Sequence, residues 1–420
     1  MTTLQHLKAA ALAAGIAIPL AWSSAASAQD LRMAIWSANE GHLALFNEIA
    51  AAYKAAHPEV NVTFDSLAFD GYTTTLTTQI AGGNAPDLAW ILETTAADFV
   101  DSGALAPLKA TFEASEGYSL PDVTESALAL WTRDGEISAY PFSTSPVGVF
   151  VNNDLIKAAG QQTPAELIAA GDWTWDKAIE LSAAVAANGK GGLIVRDFNY
   201  QVWQNLTSIY KGWGASPWSA DGKACTFTEP AMVEAMTFIH DAIFEKKAIP
   251  GPGETVDFFA GDAAMTLTQI SRASLLPKEN PFNWDLVPLP EGPAGKYAVI
   301  GQAGIGVFAQ GKNPAVAADF LAFFSNPENS AKLARFFPPA RASLLTAEVL
   351  GAANPLLSPD QLQAVVIEGI ETGSVIPGHA NFAEIQQTAR AALDALWVPD
   401  ADVAAVLQSV CDRIQPMLVQ

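Results

Sequence analysis

The chain has 420 residues, with 22 Lys+Arg against 44 Asp+Glu and a formal net charge of −22. Half of it is hydrophobic and only 16% is charged, so it can bury a large core and does not read as a disordered chain. The acid excess argues against a main task of gripping nucleic acid or an anionic membrane surface, since both require clustered Lys and Arg.

Residues 1–28 differ from the rest. Lys8 is the only basic side chain there, an apolar stretch runs from Ala9 to Trp22, and Ala26-Ser27-Ala28 satisfies the small-x-small rule for a signal peptidase. Cleavage is expected before Gln29, giving an exported, periplasmic protein. Export to an oxidising compartment leaves two readings for Cys225 and Cys411: one disulfide, or two separate thiols. His42, His57, His240 and His379 show no ligand spacing, so neither a metal nor any other cofactor is expected.

Leu31–Trp36 reads as a short strand, Leu43–Ala56 has apolar residues at helical spacing, and Val60–Leu67 alternates as a strand does. A helix over Tyr72–Ile80 stops at Gly82-Gly83, and Asp87–Leu92 returns as a strand. This alternation is the pattern of a parallel sheet with helices on its faces, in which ligands lie beyond the carboxyl ends of the strands. The middle of the chain reads as helices over Asp154–Ala159, Trp175–Ala187, Tyr200–Trp213 and Pro230–Lys247, with short strands at Val147–Val151, Ala263–Leu267 and Asn283–Val287. Ala303–Ala309 reads as another strand, a helix begins near Asn313-Pro314, and the pattern from Ala342 onward is helical with proline breaks. The simplest arrangement is two α/β lobes with the chain crossing between them more than once.

Four segments carry a family resemblance: Gly82-Gly83-Asn84-Ala85-Pro86-Asp87; Tyr140-Pro141-Phe142 with Gly148–Leu155; Phe258-Phe259-Ala260-Gly261-Asp262-Ala263-Ala264-Met265; and Gly304–Gln310 with Asn313–Phe324 and Pro338–Ser343. In this order they resemble the maltose-binding-protein-like, carbohydrate-binding proteins of ATP-binding-cassette importers. The resemblance implies an α/β, two-lobed periplasmic-binding-protein fold, each lobe a mixed sheet flanked by helices, with a ligand cleft between them. It implies residues 29–145 plus 296–340 in the N-terminal lobe and 146–295 plus 341–420 in the C-terminal lobe. The implied task is non-catalytic: a monomer captures a carbohydrate and delivers it to a membrane permease. Val151-Asn152 and Ala303-Gly304 depart from the family's usual residues, so no particular sugar carries across.

A sugar offers hydroxyls that need paired donors and acceptors, and C–H faces that stack on rings. All but one of the 11 tryptophans follow the leader, several beside polar groups at expected loop ends. The candidates after the first strands are Trp36, Asn39, Glu40, His42, Asp70, Trp90 and Glu93. The alternative readings are Ser37 or Asn39 as the cap of the first helix, Asp70 as the cap of the second, and Trp90 as core. Those of the lobe crossings are Ser143, Thr144, Gly301 and Gln302. Those expected from the second lobe are Tyr200, Trp203, Gln269, Ser271, Arg272 and Arg341; Arg341 could equally bridge the lobes. The arginines keep open an acidic, phosphorylated or sulfonated sugar derivative. A secreted glycoside hydrolase is the remaining alternative, although the sequence has no G-x-S-x-G, H-E-x-x-H or phosphate-loop motif.

Overall fold

A computed structural model describes residues 29–277 and 282–418, so the expected leader lies outside the described residues. Strand β1 (Gln29–Ile35) is followed by helix α1 (Glu40–Ala56), β2 (Val60–Ser66), helix α2 (Tyr72–Ala81) and β3 (Leu88–Leu92). Helix α1 buries Phe46, Ile49, Ala50 and Tyr53, a stripe at helical spacing. It ends before Pro58 because a residue preceding proline avoids the helical region. Strand β1 lies between β2 and β3, parallel to both, as the strand–helix alternation predicts.

The later strands are β4 (Thr132–Arg133), β5 (Glu136–Ile137), β6 (Ala139–Asn152), β7 (Gly191–Val195), β8 (Ala263–Gln269), β9 (Trp284–Val287), β10 (Val299–Val307) and β11 (Ser374–Val375). Strands β4 and β5 form a separate hairpin, and the others share one sheet with β2-β1-β3-β10-β6-β8-β7 as its main order. Strand β6 organises it. Its first half pairs antiparallel with β10, and its second half pairs with β8 and β9. Two prolines interrupt this buried strand where a missing N–H does least harm. Pro141 lies at a register slip opposite Ala303/Gly304, and Pro146 is the last partner of β10 before β8 takes over at Val147.

The hydrophobic side chains form three clusters. The first holds Leu31, Phe46, Trp90, Tyr140, Ile305 and Phe320. The second holds Val149, Trp175, Met236, Met265, Ile385 and Val410, and a third contains Phe150, Phe258, Leu286 and Val365. Val147, Val149 and Val151 enter the second cluster while Phe150 enters the third, so period-two alternation sandwiches this half of β6 between two layers.

Several expectations need correction. The strand expected at Val147–Val151 is only half of β6, because burial on both faces erases the alternation and two prolines hide the remainder. The helix expected over Tyr200–Trp213 is three short turns, Trp203–Leu206, Thr207–Tyr210 and Lys211–Trp213. A regular helix cannot start earlier, since Asp197, Asn199 and Tyr200 have φ of 59°, 43° and 56°. Strand β7 was not expected. Two of its five residues are glycine, and a Cβ at Gly192 would lie 2.0 Å from the Ala248 carbonyl oxygen. Cys225 and Cys411, left open by the sequence, are joined by a disulfide with Cα atoms 5.4 Å apart. It fastens a surface loop to the last helix, Val403–Leu418.

Candidate functional site

The carboxyl ends of β1 and β3 assemble an aromatic corner. Trp36 is partly exposed and meets Trp90, Tyr72 and Phe69 edge-on, with centroids 4.8, 5.1 and 6.0 Å away. Trp90 is 1% exposed, stacks on Phe142 at 4.5 Å, and has a buried Nε1 without a partner. His42 packs against Phe336 and Phe337 at 4.5 and 4.8 Å, and its Nδ1 lies 2.7 Å from Ser37 Oγ. Burial lowers its pKa from 6.5 to about 4, so the ring is neutral at pH 7, and its buried Nε2 has no partner. Asn39 is exposed and its Oδ1 accepts from the Gly41 and His42 amides as the N-cap of α1. Glu40 is exposed in the first turn, where its charge suits the helix dipole. Asp70 is exposed but is not a cap: Gly71 holds that position in α2, with φ of 75°.

A second group forms where β3, β10 and β6 run side by side. Register places Ala303 opposite Leu92 and Ser143, Gln302 opposite Thr144, and Gly301 opposite Ser145. Glu93 therefore follows β3 directly into the crossing. Its carboxylate accepts from its own amide and that of Gln302, but burial dominates and pushes its pKa up to about 8. Gln302 Oε1 accepts from Trp131 Nε1 at 3.0 Å, and Thr144 Oγ1 is buried without a partner. A Cβ at Gly301 would lie 3.0 Å from Gln269 Nε2, so glycine here lets the end of β8 approach. The Ser271 amide donates to Ser145 Oγ at 3.2 Å, tying the turn after β8 to β6. Glu93, Ser143, Thr144, Gln269, Ser271, Gly301 and Gln302 are thus gathered around one crossing.

The parallel strands β7 and β8 end side by side, and a third group lies beyond them. Arg272 Nη2 donates to Asp197 Oδ2 at 2.8 Å, while Arg196 Nε lies 3.9 Å from Asp197 Oδ1. Tyr200 is close in sequence, but its hydroxyl is engaged by the Pro250 carbonyl and its ring packs on Phe198 and Trp397. Trp203 is 3% exposed, donates through Nε1 to the Gln386 carbonyl and meets Phe227 edge-on, which makes it core.

Arg341 stands apart from all three groups. It is fully buried, with Nε and Nη2 donating to the Ser325 carbonyl, Nη1 to the Ser119 carbonyl, and Asp122 3.5 Å from Nη1. Its guanidinium lies 4.6 Å from the Tyr118 ring centroid. Tyr118 belongs to the first hydrophobic cluster, so Arg341 neither faces a ligand nor reaches from the second lobe.

Sequence reasoning passed over Trp131, which fixes Gln302, and Arg196. The parallel-strand rule would have exposed Arg196 had β7 been recognised. Two surface depressions of about 640 and 480 Å³ lie elsewhere, one lined by Tyr53, Thr111 and Asp319, the other by Lys190, Lys247 and Asp262.

Polar groups at the carboxyl ends of parallel strands, drawn from two cores joined by long shared strands, describe a receptor for a small molecule. The family model for the bacterial extracellular solute-binding protein matches residues 38–331. The chain belongs to that family. A binding protein of Brucella abortus (strain 2308) is 26% identical over 440 residues, spanning 97% of this chain and 98% of that one. Among solved structures, a Listeria monocytogenes substrate-binding protein in complex with cycloalternan matches with a TM-score of 0.80 and 24% identity, covering 93% of this chain and 99% of that one. A maltose-bound T. maritima protein matches with a TM-score of 0.79 and 18% identity, covering 93% and 100%. The binding protein therefore has the two-lobed α/β fold of these relatives.

Proposed function

We propose that the protein captures a carbohydrate between its lobes, unaltered, and delivers it as a monomer to the permease of an ATP-binding-cassette importer. The observation that carries this reading is the convergence of Glu93, Thr144, Gln302 and Gln269 on one crossing, beside an aromatic corner built on Trp36 and Trp90. Amide, hydroxyl and carboxyl groups meet sugar hydroxyls there, and Trp36 offers stacking surface while Trp90, buried in the core, backs it. The sugars bound by the two structural relatives support the same class. Most cluster memberships support lobes of 29–145 plus 296–340 and 146–295 plus 341–420; Val299 packs in the second cluster, Ala334 in the third, and Arg341 in the first. Export behind a leader cleaved before Gln29 places the protein in the periplasm, where a disulfide persists.

A ligand touching both lobes favours the closed state by its differential contacts. A thermal-shift panel of mono- and oligosaccharides, polyols and glycosides is expected to yield at least one responder that also shrinks the radius of gyration in X-ray scattering. A panel with no responder overturns the reading, and cleavage of a chromophoric glycoside would replace it with a hydrolase.

A further inference from the structure

We propose that Arg196 and Arg272 form a subsite for an anionic group on the captured sugar, a carboxylate, phosphate or sulfate ester. The inference rests on the carbohydrate reading and narrows its substrate class.

Two guanidiniums stand at the carboxyl ends of adjacent parallel strands in a protein of net charge −22. Each offers five N–H donors, yet they share a single carboxylate, Asp197, 2.8 Å from Arg272 and 3.9 Å from Arg196. Among the described residues no acceptor is hydrogen-bonded to the Arg196 side chain, and its buried Nε has no partner. The Phe259 ring lies 5.1 Å from the Arg196 guanidinium carbon, a cation–π contact that supplies no hydrogen-bond acceptor. Asp257 also faces Arg196 electrostatically, but one of its oxygens is held by the Phe259 amide at 2.9 Å.

The pair is strained electrostatically. Burial and the like charge of Arg272 lower the pKa of Arg196, and Asp197 and Asp257 offset this only in part; the charge of a bound anion would offset the remainder. The two side chains remain 27% and 34% exposed, so a ligand can reach them. Position matters as much as charge. Ser271, next to Arg272, is bonded to Ser145 on β6, placing the pair at the edge of the crossing that holds the other sugar-binding candidates. A planar fork of donors suits a carboxylate or phosphate better than a lone hydroxyl.

Calorimetry on the mature protein tests this with matched ligands: glucose and galactose, their uronic acids, and glucose 1- and 6-phosphate. At least one acidic member should bind at least tenfold more tightly than its neutral parent, with affinity falling as salt rises. Arg196→Gln and Arg272→Gln should each weaken the acidic ligand at least tenfold more than the neutral one. Asp197→Asn removes the internal competitor and should tighten acidic ligands, a gain that misfolding cannot mimic. Neutral sugars binding as well as acidic ones, or substitutions that weaken both classes equally, would overturn the subsite and leave the carbohydrate reading standing. Binding of no member of this panel would overturn the subsite, and the absence of any responder in the broader thermal-shift panel as well would overturn both.

Discussion

Arg341 and the Arg196–Arg272 pair place the same side chain in opposite settings. Around Arg341 the protein supplies the Ser325 and Ser119 carbonyls, the Asp122 carboxylate and the Tyr118 ring, and exposure is 0%. Around the pair it supplies one shared carboxylate and leaves both side chains partly open to solvent. A guanidinium whose acceptors are all internal holds the fold together, whereas one short of acceptors is free to recognise something else. The largest expected effect tests the first half of this contrast. Arg341→Gln removes a fully buried guanidinium from the Ser325 and Ser119 carbonyls, which keep the Ser330 hydroxyl and the Asp122 amide, and from Asp122, which keeps Ser343. The lost hydrogen bonds and packing should cost about 2–3 kcal/mol in urea unfolding. A variant of wild-type stability would break the comparison.

The acids repeat the contrast. Asp197 is exposed between two cations, while Glu93 is buried in the crossing with its pKa pushed up to about 8. The sign follows from proton counting. Between the ordinary glutamate pKa of 4.5 and about 8, folded Glu93 keeps a proton that the unfolded chain has lost. Stability contributed by the neutral form is therefore lost as pH rises through that window, on the order of 1.4 kcal/mol per unit. His42 acts oppositely. With its folded pKa at about 4 against 6.5, it erodes stability as pH falls through that range. Urea midpoints should peak between about pH 4.5 and 6.5, where neither loss is complete. Glu93→Gln should flatten the alkaline side and exceed the wild type at pH 8. A wild-type midpoint unchanged from pH 6.5 to 8, above the window in which His42 acts, would show that Glu93 is ionised in the folded state.

These two residues also show what a sequence can carry. Glu93 was legible because it ends an apolar strand, and the strand–helix order of residues 29–92 dictates which loops share one edge of the sheet. The crossing candidates followed from the same regularity together with the family resemblance. Arg341 misled because a Pro-x-Arg segment shows the residue but not its acceptors: Ser119 and Asp122 lie 222 and 219 positions earlier. Arg196 was hidden behind β7, whose Gly191-Gly192 start suppresses the strand signal and exists to admit the Ala248 backbone. Tyr200 and Trp203 failed for a local reason. Three positive φ values in four residues break the helix on which their expected direction depended.

The smallest expected effect separates Asn39 from Asp70, two residues for which the sequence offers both capping and ligand contact. Asn39 Oδ1 accepts from the amides of Gly41 and His42 at 2.9 and 3.2 Å, satisfying two of the donors that the start of a helix leaves without partners. Asp70 precedes Gly71, and α2 has no side-chain cap. Asn39→Ala should therefore cost about 1 kcal/mol in the ligand-free protein, while Asp70→Ala should stay within about 0.5 kcal/mol of the wild type. Urea unfolding without sugar reads the caps alone. Repeating it at saturating sugar adds the binding free energy, so any further difference between variant and wild type measures contact with the ligand. A ligand-free loss at Asp70 as large as that at Asn39 would mean that Asp70 stabilises the start of α2 through its charge near the helix dipole rather than through a hydrogen bond.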